Sequence, residues 1–145
     1  MIRTIAIAHS HASTKDTVTL SYDARFLRRK LLTSDNGTEF LVDLPETVSL
    51  NAGDAFELDD GRLIAVIPAV EDLLEISGAA LVRLAWHIGN RHTPCQIEQS
   101  RLLVQKEPVM QDMLAKLGAE LREVSEPFTP EGGAYGFGRT HGHAH

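Results

Sequence analysis

The apolar pattern changes period once, near Pro68, and that change limits what the chain can fold into: a sheet-rich first half, then a half that mixes helices with strands. From Met1 to Ala69, short apolar stretches alternate with turn chemistry, and about six or seven strands fit. Asn36-Gly37 separates the stretches 26–33 and 39–44, and both turn residues are expected to take the positive φ of a tight hairpin. Further turns are expected at Asn51-Ala52-Gly53-Asp54 and at Asp59-Asp60-Gly61.

Beyond Pro68, Leu81, Leu84, Ala85 and Ile88 recur at helical spacing. This predicts a helix over 78–88, with Ser77 as its N-cap and Gly89 ending it. A second helix is expected over 108–117, because proline suits a first turn, Met110, Met113, Leu114 and Leu117 form one stripe, and Gly118 can close it. Strands fit 73–77, 95–99, 102–105 and 119–124. Strand, helix, strand, strand, helix, strand is the ferredoxin-like order. The expected fold class is therefore α+β: a β-rich domain over 1–69, a ferredoxin-like domain over 70–127, and a glycine- and histidine-bearing tail over 128–145, expected to be flexible.

The formal charge of -6 argues against nucleic acid as a partner, since phosphate neutralisation needs an excess of Lys and Arg. Cys95 is the single cysteine, so neither an intrachain disulfide nor a cysteine-rich zinc site can form, and a reducing compartment is expected. The longest apolar run, 63–70, contains Pro68 and is far below the ~20 residues that cross a bilayer. His9, Ser10 and His11 interrupt the mildly apolar N-terminus before any cleavage signal. A soluble, cytoplasmic protein without membrane partners is the expectation.

Seven histidines fall unevenly: His9 and His11 near the N-terminus, His87 and His92 flanking a helix end, and His141, His143 and His145 in the tail. Imidazole suits nickel, zinc and copper, whereas carboxylates and carbonyls suit magnesium and calcium. The tail histidines, spaced by single small residues, can wrap a cation. His87 shares a helix face with Arg83 and Arg91, which predicts a solvated position. His92 either tends the free carbonyls of the helix end or serves as a ligand. Cys95, three residues from His92, raises a Cys/His nucleophile against plain packing of a small thiol, and packing is the preferred reading. Arg25, Arg28, Arg29 and Lys30 form a basic run on a predicted strand, either simply solvated or a docking surface.

The segment Trp86-His87-Ile88-Gly89-Asn90-Arg91-His92-Thr93-Pro94-Cys95-Gln96-Ile97 resembles the signature of the UreE nickel chaperones, His-Leu-Gly-Asn-Arg-His-x-Pro-Leu-Gln. Asp59-Asp60-Gly61-Arg62 and Pro127-Phe128-x-Pro130-Glu131-Gly132-Gly133-Ala134-Tyr135-Gly136 support the resemblance. It implies a partner-binding β-rich domain and a ferredoxin-like domain that dimerises, with His92 of each subunit meeting Ni(II) at the two-fold interface. His141, His143 and His145 then supply further ligands, and no catalytic or resident-cofactor residue is expected. It further implies delivery to a urease accessory GTPase and the urease apoprotein complex. Zn(II) and Cu(II) compete for the same imidazoles in vitro. Some relatives carry histidines before the second helix, where this chain has Gln105-Lys106-Glu107-Pro108. Three other readings stand beside this one: a Cys/His enzyme using Cys95 and His92, a histidine-tail nickel or zinc scavenger, and an RNA-binding ferredoxin-like module.

Overall fold

A computed structural model describes residues 1–9 and 15–132. The chain divides into two compact units between Ala69 and Val70. The tail, with His141, His143 and His145, lies outside the described residues, as does His11.

In the first unit, β1 (Arg3–Ala8), β2 (Asp16–Leu20), β3 (Phe26–Thr33), β4 (Glu39–Ser49), β5 (Ala55–Leu58) and β6 (Leu63–Pro68) form one six-stranded sheet, ordered β2-β6-β5-β1-β4-β3. Alternating residues of these strands bury Val18, Leu32, Phe40, Val42, Phe56, Ile64 and Val66 in one core. The β3–β4 connection is longer than the two-residue hairpin expected. Ser34 and Thr38 close it by a backbone bond of 2.8 Å, and of Asn36 and Gly37 only the glycine takes positive φ, +95°. Strand β4 runs on to Ser49 past Pro45, where the β3–β4 register skips between Asp43 and Val48. Proline has no N–H to give to the ladder, so the skip falls where proline can be tolerated. The basic run is also not what spacing predicted. Arg25 sits in a 3-10 turn, Asp23–Arg25, and is buried, donating to the Leu20 carbonyl at 2.9 Å and lying over the Tyr22 ring; only Arg28, Arg29 and Lys30 are exposed on β3.

The second unit contains β7 (Val70–Ser77), α1 (Leu81–Asn90), β8 (Gln96–Ile97), β9 (Leu102–Gln105), α2 (Pro108–Lys116) and β10 (Glu120–Pro127). Its sheet, ordered β10-β7-β9-β8 and antiparallel throughout, is the ferredoxin-like arrangement expected. Leu84 and Ile88 of α1 and Met110 and Leu114 of α2 close over Leu74, Ile76, Leu102 and Val104. Helix α1 starts three residues late, because Gly78 adopts a φ of +130° that no helix contains, and Ser77 ends β7 instead of capping. In α2, Glu107 is the N-cap, its carboxylate accepting the N–H groups of Val109 and Met110. Strand β8 is shorter than expected, and β10 runs on to Pro127. No helix among the described residues is long and apolar enough to cross a membrane.

Candidate metal centre

Helix α1 does not stop at Gly89, as its composition suggested; it continues through Asn90, with Arg91 as its C-cap. Pro94 excludes Thr93 from helical conformation, so the chain must turn before that residue. His92 makes the turn, with φ of +58°, the one non-glycine residue of positive φ among those described. Its N–H donates to the Gly89 carbonyl at 3.0 Å and that of Thr93 donates to Ile88 at 3.5 Å. These paired bonds form a Schellman motif, whose left-handed position is usually glycine. An L-residue there costs about 1–2 kcal/mol of backbone strain. The imidazole of His92, half-buried, is therefore placed by a backbone geometry that a side chain makes more expensive.

From the start of the same helix to its middle, the apolar surface is unusual. Val82 and Trp86, one turn apart on α1, are 88% and 63% exposed. With Ala79, Ala80, Leu81, Arg83 and His87 they line a shallow, open depression. His87 is half-buried, its ring edge-on to Trp86 at 5.1 Å, and not wholly solvated as expected.

On the other side of His92, Cys95 packs beside the second core. Burial, then the nearby Glu131 carboxylate, push its thiol up to about 11. A protonated, partly buried thiol is a poor nucleophile, which counts against the Cys/His enzyme reading. Gln96, next in the signature, has a role that spacing did not disclose. Its side chain donates to Glu98 at 2.8 Å and accepts the Thr129 N–H at 2.8 Å, while Glu131 donates its N–H to the Cys95 carbonyl at 2.9 Å. Residues 129–131, which lead into the tail, are thus held beside the signature loop. Arg101 fixes the loop from below, bonding Glu98, Glu75 and Glu126 at 2.7–2.9 Å.

Among the described residues, no group of three His, Cys, Asp or Glu side chains could hold a metal ion. His9, in the bend after β1, faces Asp54 at 3.2 Å in the first unit. Of the residues that sequence reasoning selected as ligands, His92 alone has a described position.

Comparison with known proteins extends the resemblance to almost the whole chain. Residues 2–69 match the N-terminal domain and residues 71–145 the C-terminal domain of the UreE urease accessory protein family. The chain is 70% identical to a urease accessory protein UreE of Ruegeria pomeroyi over 90% of its own length and 87% of that protein's. It is 57% identical to one of Rhodobacter capsulatus, covering 90% and 83%. Against one of Chelativorans sp. the identity is 45%, covering 100% and 94%.

Proposed function

The chain belongs to the UreE family of urease accessory proteins, and from that premise we propose that it binds Ni(II) through paired His92 residues at a two-fold interface and hands it on during urease assembly. The family is non-enzymatic and delivers nickel in urease maturation. What carries the residue-level reading is the left-handed backbone of His92: glycine would fill that position at lower cost, so retaining an imidazole there makes sense if the ring itself is used.

One imidazole per chain cannot grip a divalent ion, but a two-fold axis supplies a second. The exposed Val82 and Trp86, on the helix that leads to His92, give such a dimer an apolar surface to bury. His141, His143 and His145 add displaceable ligands, and an incomplete ligand shell favours transfer over storage. The β-rich unit, 1–69, engages the delivery partners, a urease accessory GTPase and the urease apoprotein complex, in the cytoplasm.

Nickel calorimetry on three variants tests the reading. His92→Gly relieves the strain and removes the ring, so it is expected to melt no lower than wild type while losing the tightest nickel per dimer. His92→Ala is expected to lose the same nickel and to melt lower than His92→Gly. Deleting 141–145 is expected to reduce stoichiometry or affinity and leave some binding. If His92→Gly bound nickel like wild type and only the tail deletion mattered, the protein would be a tail-based scavenger.

A further inference from the structure

We propose that residues 128–131 form a strap across the open face of the second sheet, and that Phe128 and Gln96 are positioning residues that set where the histidine-bearing tail leaves the fold, beside the loop that holds His92. The proposal rests on the reading of His92 and the tail histidines as nickel ligands and concerns what brings the two together.

Alternation along the strands defines the face. Leu74, Ile76, Leu102 and Val104 pack under the helices, so their neighbours Leu73, Glu75 and Leu103 point the other way. The register sets Val124 beside Leu73, and Glu75 and Gln96 on either side of Leu103. Leu73 and Leu103 are nevertheless fully buried, so this face is covered. The cover is the chain that follows β10. Phe128 continues the alternation of Val124 and Glu126, and it is fully buried between the exposed Pro127 and Thr129, as a plug would be. Thr129 then donates its N–H to the Gln96 side chain at 2.8 Å, and Glu131 donates its own to the Cys95 carbonyl at 2.9 Å. Since β10 and β8 are the outer strands of the sheet, the chain passes from one edge to within reach of the other over these few residues. The Arg101 guanidinium, bonded to both Glu126 and Glu98, ties the start of the crossing to its end.

A strap that served only to cover Leu73 and Leu103 could end at Phe128. The bonds at Thr129 and Glu131 lie beyond the plug, on exposed residues that shield no apolar side chain, and what they fix is the path of the chain. Cys95 is three positions from His92, so Glu131 is fastened no more than about 11 Å of extended chain from it. Without the strap the last residue held would be Pro127, paired with Val70 at the opposite edge of the sheet. His141 is fourteen positions after Pro127 and ten after Glu131, so the strap shortens the tether and starts it beside the signature loop. The effective concentration of a tethered ligand falls roughly as the −3/2 power of tether length, and further when the tether starts away from its target. Anchoring therefore helps tail imidazoles to arrive without adding a permanent ligand, which suits a site that must also release its ion.

Amide hydrogen exchange, together with Ni(II) titration in competition with a chelator, tests the proposal on the full chain. The amides of Thr129 and Glu131 are expected to be protected in wild type and to exchange several-fold faster in Phe128→Ala and in Gln96→Leu. Phe128→Leu, which keeps an apolar plug, is expected to restore both protection and nickel affinity. Phe128→Ala and Gln96→Leu are each expected to weaken nickel binding about two- to fivefold, and to change nothing in a chain lacking 141–145. Should Phe128→Ala fail to fold, Gln96→Leu carries the test. Unprotected amides in wild type, wild-type nickel affinity in variants whose two amides are released, or equal weakening with and without 141–145 would each overturn the proposal. Failure of the His92 reading shows separately, as wild-type nickel binding by His92→Gly, and leaves the amide protection untouched.

Discussion

Thr4 carries a hydroxyl into the first core, where it is fully buried and its Oγ1 has no hydrogen-bond partner among the described residues. Burying such a group without a bond costs roughly 1–3 kcal/mol, while replacing it by a methyl of the same shape removes that cost. Thr4→Val is therefore expected to hold or raise stability by about 1 kcal/mol, read as a higher melting temperature; a fall of similar size would mean that the hydroxyl is satisfied after all. Residue-scale features of this kind were the least legible from sequence. The burial of Arg25 follows from a 3-10 turn that takes it off the strand, and no spacing rule anticipates that. The left-handed His92 had one legible signal, Pro94 two residues later, but a glycine at 89 offered a cheaper place to stop the helix. Motif resemblance singled out His92; it did not reveal that the backbone there is strained.

At the scale of elements, the second sheet is tied together by ionic bonds that acid can undo. Arg101, just before β9, reaches Glu98, Glu75 and Glu126, and Arg122 of β10 also meets Glu75 at 3.1 Å. Hydrogen bonds from Arg122 and Arg101 hold Glu75 below the usual carboxylate range, and those from Arg101 do the same for Glu98 and Glu126. Carboxylates with lowered pKa in the folded state bind protons more readily when unfolded. Their contribution is thus complete above the unfolded value, near 4.3, and is lost as pH falls through the lower folded values. Arg101→Met is expected to melt several degrees lower than wild type at pH 7, and the gap is expected to close below about pH 3. A gap that persisted undiminished in acid would assign the loss to packing. Most elements were legible because their periods are long enough to read: of the two predicted stripes, Leu84, Ile88, Met110 and Leu114 are buried, and Leu81, Ala85, Met113 and Leu117 pack against them partly buried. Boundaries were less legible, since Gly78 delayed α1 through a φ that composition alone does not state.

At the scale of the molecule, the apolar face of α1 predicts the oligomeric state. Metal-free protein is expected to sediment with the mass of two chains at micromolar concentration, and Trp86→Asp to sediment as one, because it puts a charge where a large apolar surface must be covered. Wild type sedimenting as one chain would remove the preformed two-fold site. The two cores also decide how inherited damage is distributed. The first cluster draws its members from residues 2–66 and the second from 74–121, and they share none. Phe40→Ala, which empties a fully buried ring from the first, costs about 3–5 kcal/mol. That can exhaust the stability of a small unit while removing no member of the second cluster. Missense alleles are expected to form two phenotypic groups: lesions before Ala69 that leave the chain loaded with nickel and unable to pass it on, and lesions after Val70 that leave it empty.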